Sequence, residues 1–296
     1  MTRVISVLAV LAASAFAQQP SCESIRAELA NTFRTSQDRV AGLALAQCDI
    51  AKERYSDAWP VVDQLRKKFP DDPDVLYLAA KLYLRGWNDV VYQMFQKAPG
   101  SFRVNQVSAE IFEIQGRFAD AAAEYRKAIE KAPAITLNLH YRLGRALLLE
   151  SHTAENFAAA IREFEAELNV NPMDAAAEYQ IGQILVAQQK RDEAAIRYEK
   201  ASKLDPEFVE ALVALGKIRS EQKQHDAAIG LLEKAVAKAP RSEAARYNLM
   251  LAYRNAGKTA EARKQKEELD KLQKPPEGEF SEFLKKLGEK PKQPQQ

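Results

Sequence analysis

Apolar residues recur three and four apart along most of the chain, which places them on one side of a helix. In residues 175–207 the pattern is Ile181, Gly182 and Leu185, a polar break, then Ala194, Ala195, Tyr198 and Ala201. It predicts two amphipathic helices joined by a short turn. The pattern returns 34 residues later in residues 209–241, where Gly182 matches Gly216, Ala194 matches Ala228, Tyr198 matches Leu232, Ala201 matches Ala235 and Pro206 matches Pro240. One more step reaches Leu249, Met250, Tyr253 and Ala262. Upstream, Leu143, Gly144, Leu147, Ala160, Phe164 and Pro172 form a copy with a longer turn over residues 150–156. Phe112, Gly116, Phe118, Ala121, Tyr125, Ala128 and Pro133 form another. Leu78, Ala79, Leu82, Gly86, Phe95 and Ala98 make a shortened copy that has Val91 in an alanine slot. Leu45, Tyr55, Ala58, Leu65 and Pro70 make the weakest. The expectation is an all-α chain with about seven helix pairs between Arg39 and Lys274.

Prolines at 133, 172, 206 and 240 end the second helices, because proline lacks an amide donor and restrains the residue before it. One pair cannot cover its own apolar face. Stacked neighbours cover it, and a small rotation per unit curls the stack into a right-handed α-solenoid with a concave inner wall. Small residues such as Gly182 and Ala194 let paired helices approach closely.

The 34-residue unit, with its glycine, alanine and proline in register, resembles the tetratricopeptide repeat. The resemblance covers about four-fifths of the chain, taken as residues 39–274. It implies that the first helix of each pair lines the concave face. Carried onto this sequence, the inward positions are Asn138, Tyr141, Arg145 and Leu148; Tyr179, Gln183 and Val186; Glu210, Val213 and Lys217; and Tyr247, Leu251 and Arg254. Tyr141, Tyr179 and Tyr247 fall in equivalent slots, either as phenols offered to a guest or as packing between neighbouring first helices. Some members of the family grip a C-terminal carboxylate with lysine, asparagine and arginine. Lys217, Asn248 and Arg254 are present here without the full two-carboxylate clamp, so that ligand is not expected.

The ends read differently. Arg3 precedes an apolar run over residues 4–16 that closes on Ala15, Phe16 and Ala17, the layout of a signal peptide (residues 1–17) cleaved after Ala17. The run is too short to span a bilayer. Residues 18–38 are expected to hold a lone capping helix that begins at Ser21. Residues 275–296 are expected to hold a linker, a short helix striped with Phe280, Phe283, Leu284 and Leu287, and a disordered tail. That stripe either docks on the last pair or serves as a detachable binding segment. Cys22 and Cys48 lie symmetrically about a polar turn, so two antiparallel helices would bring them together, either as a disulfide or as two packed thiols.

Composition narrows the function. The formal charge is +2, or +1 once Arg3 is lost, with acids and bases interleaved and no basic stripe for nucleic acid. The three histidines, His140, His152 and His225, stand in no metal-ligand spacing. No two of the 11 glycines are closer than ten residues, which rules out phosphate-cradling and dinucleotide loops. No catalytic cluster, metal site, cofactor motif or membrane span in the mature chain is found. The expectation is a periplasmic or secreted scaffold or adaptor that holds a peptide or protein in its groove. The alternative is a periplasmic chaperone or assembly factor for outer-membrane or secretion machinery.

Overall fold

The computed structural model describes residues 22–25 and 37–273. The expected leader, most of the capping helix and the C-terminal stripe lie outside them. Among the described residues every regular element is a helix. The chain divides into two compact units between Pro99 and Gly100.

In the first unit α1 (Gln37–Ala51), α2 (Tyr55–Lys68) and α3 (Pro73–Lys97) pack on one another. Leu45, Ala58, Val62, Leu65, Val75, Leu78 and Leu82 form their core. Residues 22–25 are helical and joined to α1 by a disulfide between Cys22 and Cys48, whose Cα atoms are 5.7 Å apart. Asp72 caps α3 by accepting from the amides of Asp74 and Val75, with Pro73 in the first turn. The Arg39 guanidinium forks onto the same carboxylate and holds its pKa down at about 2.

The shortened copy departs from a helix pair: α3 runs unbroken for 25 residues. In five of the other pairs the turn carries a residue with positive φ, namely Glu53, Gly116, Gln189, Lys223 and Gly257, at 57° to 75°; the sixth turn, over residues 151–153, has none. No such residue occurs between Pro73 and Lys97. With fewer residues than a full unit, the segment from Arg85 to Asp89 stays in helical register, and Gly86 faces Trp59, where a Cβ would come within 3.1 Å of the indole.

The second unit is a solenoid of five pairs: α4 (Phe102–Ile114) with α5 (Phe118–Lys131), α6 (Leu139–Glu150) with α7 (Ala154–Val170), α8 (Ala175–Ala187) with α9 (Arg191–Leu204), α10 (Val209–Glu221) with α11 (His225–Lys238), and α12 (Glu243–Asn255) with α13 (Thr259–Gln273). Each helix packs on its partner, each second helix on the next first helix, and α10 also touches α12. This is the nearest-neighbour pattern of a repeat array. Tyr125, Phe164, Tyr198 and Leu232, one from each second helix from α5 to α11, are fully or almost fully buried. The last three each close on a glycine of the paired first helix, Gly144, Gly182 and Gly216.

The insert in the fourth copy is mostly helical. Only residues 151–153 separate α6 from α7, and the added length extends α7 to 17 residues. Thr153 accepts from the Asn156 amide, and the Asn156 side chain donates to the Leu147 carbonyl, so one short turn caps both helices.

Candidate functional site

First helices of the second unit repeat one surface register. Tyr141, Tyr179, Val213 and Tyr247 share a slot; Arg145, Gln183, Lys217 and Leu251 follow one turn later, as the two 34-residue steps and the insert require. The structure separates these side chains by environment. Tyr141 is half-buried with its ring 5.6 Å from that of Phe164. Tyr179 is half-buried between Tyr198 at 5.4 Å and Phe208 at 5.0 Å. Its hydroxyl accepts from the exposed Gln183 amide at 2.6 Å, and burial pushes the phenol pKa up. These two rings therefore extend the core outward and are only partly open. Tyr247 is different, with about half its surface open.

Between α10 and α12 the register opens into a hollow of about 140 Å³ lined by Lys217, Ser220, Glu221, Asn248, Leu251 and Asn255. Asn255 Nδ2 donates to Ser220 Oγ at 3.2 Å, and Asn248 Nδ2 donates to the Ala244 carbonyl at 2.8 Å. Glu221 is drawn to Arg191 at 3.1 Å, which leaves Lys217 as the exposed cation of the hollow. An ammonium, two amides, a hydroxyl and an apolar floor from Leu251 can hold the alternating donors and acceptors of an extended peptide.

Of the residues picked from sequence, Lys217, Asn248 and Leu251 meet in this hollow. Arg145, Gln183 and Arg254 are exposed on their helices outside it. Asn138 is placed apart. It precedes α6 in a left-handed conformation (φ 69°), and it lines a separate hollow of about 570 Å³ with Arg103, Gln106, Leu137 and Arg142. A helical inward position was expected for it; its backbone is instead held by Glu167, a fully buried carboxylate of α7, which accepts from the amides of Asn138 at 2.7 Å and Tyr141 at 3.2 Å. Ser220 and Asn255 were not singled out. Their signal is weak in sequence, because a hydroxyl and an amide 35 residues apart meet only once the repeat register is folded.

Among the described residues the histidines stand apart from one another. His140 pairs with Glu163 at 2.8 Å, His152 stacks on Phe157, and His225 opens α11. Among the described residues no group of His, Cys, Asp and Glu is arranged to hold a metal ion, and no helix is long and apolar enough to cross a membrane.

Family models described as tetratricopeptide repeat match residues 153–206, 179–243 and 219–277. Residues 153–277 carry tetratricopeptide repeats. No curated protein matches the chain in sequence. Among solved structures, one described as MamA protein superposes with a TM-score of 0.51 at 20% identity, over 58% of this chain and 91% of that one. YrrB, described as a tetratricopeptide protein with an unusual peptide-binding site, gives 0.50 at 18% identity over 66% and 97%. The pilF protein of Pseudomonas aeruginosa gives 0.50 at 19% identity over 59% and 78%. At these identities the likeness is one of fold, a helical-repeat solenoid.

Proposed function

We propose that this chain is an exported interaction scaffold that holds an extended peptide segment of a partner protein along the first-helix face of its second unit. The observation that carries the reading is the hollow between α10 and α12, where Lys217, Asn248 and Asn255 present an ammonium and two amides around Leu251. Nearest-neighbour packing leaves that face uncovered by later repeats, and Tyr247 beside it offers a half-open aromatic surface. Export is supported by the leader-like residues 1–17 and by the Cys22–Cys48 disulfide, which persists in oxidising compartments. The mature chain would then begin at Gln18 in the periplasm or outside the cell.

The test is selection of binding peptides from a random display library on the purified protein, followed by affinity measurement with Lys217→Ala, Asn248→Ala and Tyr247→Ala. Each variant should lose at least tenfold in affinity, about 1.4 kcal/mol, with its helicity intact. Peptides that bind all three variants as tightly as the parent would reject the hollow as the site. N-terminal sequencing of the protein from its native host tests export; a chain that still begins at Met1 would reject cleavage.

A further inference from the structure

Helix α3 carries two apolar stripes, and its own unit uses one. Val75, Leu78, Ala79 and Leu82 are buried against α1 and α2. On the opposite side Tyr77, Ala80, Leu84, Trp87, Val91 and Met94 follow one another at alternating steps of three and four, the spacing of a helix-packing seam. Tyr77 and Leu84 are about 60% exposed and Trp87 is 46% exposed. The flank is apolar as well, with Leu76, Tyr83 and Val90 preceding seam positions, all of them exposed. Surface helices of monomers rarely leave a continuous patch of this size open.

We propose that this stripe is the dimer interface of the protein, with α3 packed antiparallel against α3 of a second copy about a two-fold axis beside residues 85 and 86. The stripe is complementary to itself under that one operation. Antiparallel pairing sets Tyr77 against the second copy's Met94, Leu84 against its Trp87, and Ala80 against its Val91. The same axis serves all three layers, as an isologous interface requires. On the flanks Tyr83 meets Val90, Leu76 meets Lys97 and Lys81 meets Asn88, so no like charges face each other. The open parts of three aromatic and several aliphatic side chains amount to roughly 700 Å² per copy, taking ~150–250 Å² for a whole aromatic side chain, against ~800 Å² per partner in a standard interface. Trp87 sits near the centre of the pair, where binding energy concentrates. The reading also accounts for the helix itself: a helix unbroken over 25 residues presents the whole seam at once.

Sedimentation velocity of the purified chain over about 1 to 100 µM tests it, with far-ultraviolet circular dichroism as the folding control. The parent should sediment with the mass of two chains. Leu84→Asp and, separately, Trp87→Ser should raise the dissociation constant at least ~30-fold, the loss expected at an interface hot spot. Tyr92→Asp, on the same helix but off the seam, should leave the dimer unchanged. A parent that stays monomeric at the highest concentration overturns the proposal. So do equal losses in Leu84→Asp and Tyr92→Asp. In a Trp59→Phe background, a monomer whose Trp87 emits as a buried indole also overturns it, since another part of the chain then covers the stripe.

Discussion

The ring of Tyr198 closes directly on Gly182: a Cβ built on Gly182 would stand 2.5 Å from Tyr198 Cε1. Removing one methyl group from α8 is what lets α9 come close enough to bury a tyrosine. In the next repeat Gly216 stands in the same relation to Leu232, at 2.7 Å.

Gly182→Ala should therefore destabilise the second unit by up to about 2 kcal/mol, the ~1–3 kcal/mol cost of overpacking less the roughly 1 kcal/mol that alanine gains over glycine in a helix. Gly230→Ala, in α11 with nothing within 4 Å of the added Cβ, should stabilise by up to ~1 kcal/mol. Urea denaturation of the two variants checks the pair, and equal effects would show that the close approach is not what selects glycine at 182.

Glu167 should be a second fixed point. Its fully buried carboxylate satisfies two amides at the start of α6, where Asn138 makes no side-chain cap and the helix dipole favours negative charge. Glu167→Ala leaves both donors buried without a partner and should cost about 3 kcal/mol, while Glu167→Gln keeps one acceptor and should cost about half as much. Amide hydrogen exchange at Asn138 and Tyr141 reads the effect locally; unchanged protection in Glu167→Ala would show that the cap is not needed.

The repeat register was legible because period and residue size carry it. Gly182, Gly216, Ala194 and Ala228 mark the close approaches, and the helices formed where those residues recur. The unbroken α3 was not legible. Gln189, Lys223 and Glu53 make the left-handed turns inside pairs without glycine, so the lack of a turn after Gly86 had no marker in residue type. Asn138 escaped for the same reason: its left-handed backbone removes it from the helix that its spacing assigns it to. Tyr141 and Tyr179 shared a slot with Tyr247 in the sequence, yet Phe164, Tyr198 and Phe208 draw only the first two into the core. Periodicity locates a face; what stands behind each position decides how open it is.

Reduction should loosen the first unit selectively. The Cys22–Cys48 bond closes a loop with a sequence separation of 26, worth about 3.5 kcal/mol on the chain-entropy estimate. Cys48→Ser, or the parent in dithiothreitol, should lower the transition of the first unit and leave the repeats of the second unit unmoved. Scanning calorimetry with and without reductant decides it, and a single transition that shifts as a whole would show that the two units unfold together.

His140 should give the second unit a weak dependence on pH. Its ring nitrogen meets the Glu163 carboxylate at 2.8 Å, and that hydrogen bond raises the imidazole pKa above its ordinary value in spite of partial burial. A folded-state pKa above the unfolded one means that the protonated ring binds more tightly in the native state. The contribution is complete below about pH 6.5, the value of a free imidazole, and fades as pH rises through the higher folded value. Both groups are about a quarter exposed, so the effect should stay below ~1 kcal/mol. His140→Gln should then lower the melting temperature at pH 5.5 by more than at pH 8.5. Equal shifts at the two values would mean that the pair holds by its neutral hydrogen bond alone, with the charge contributing nothing.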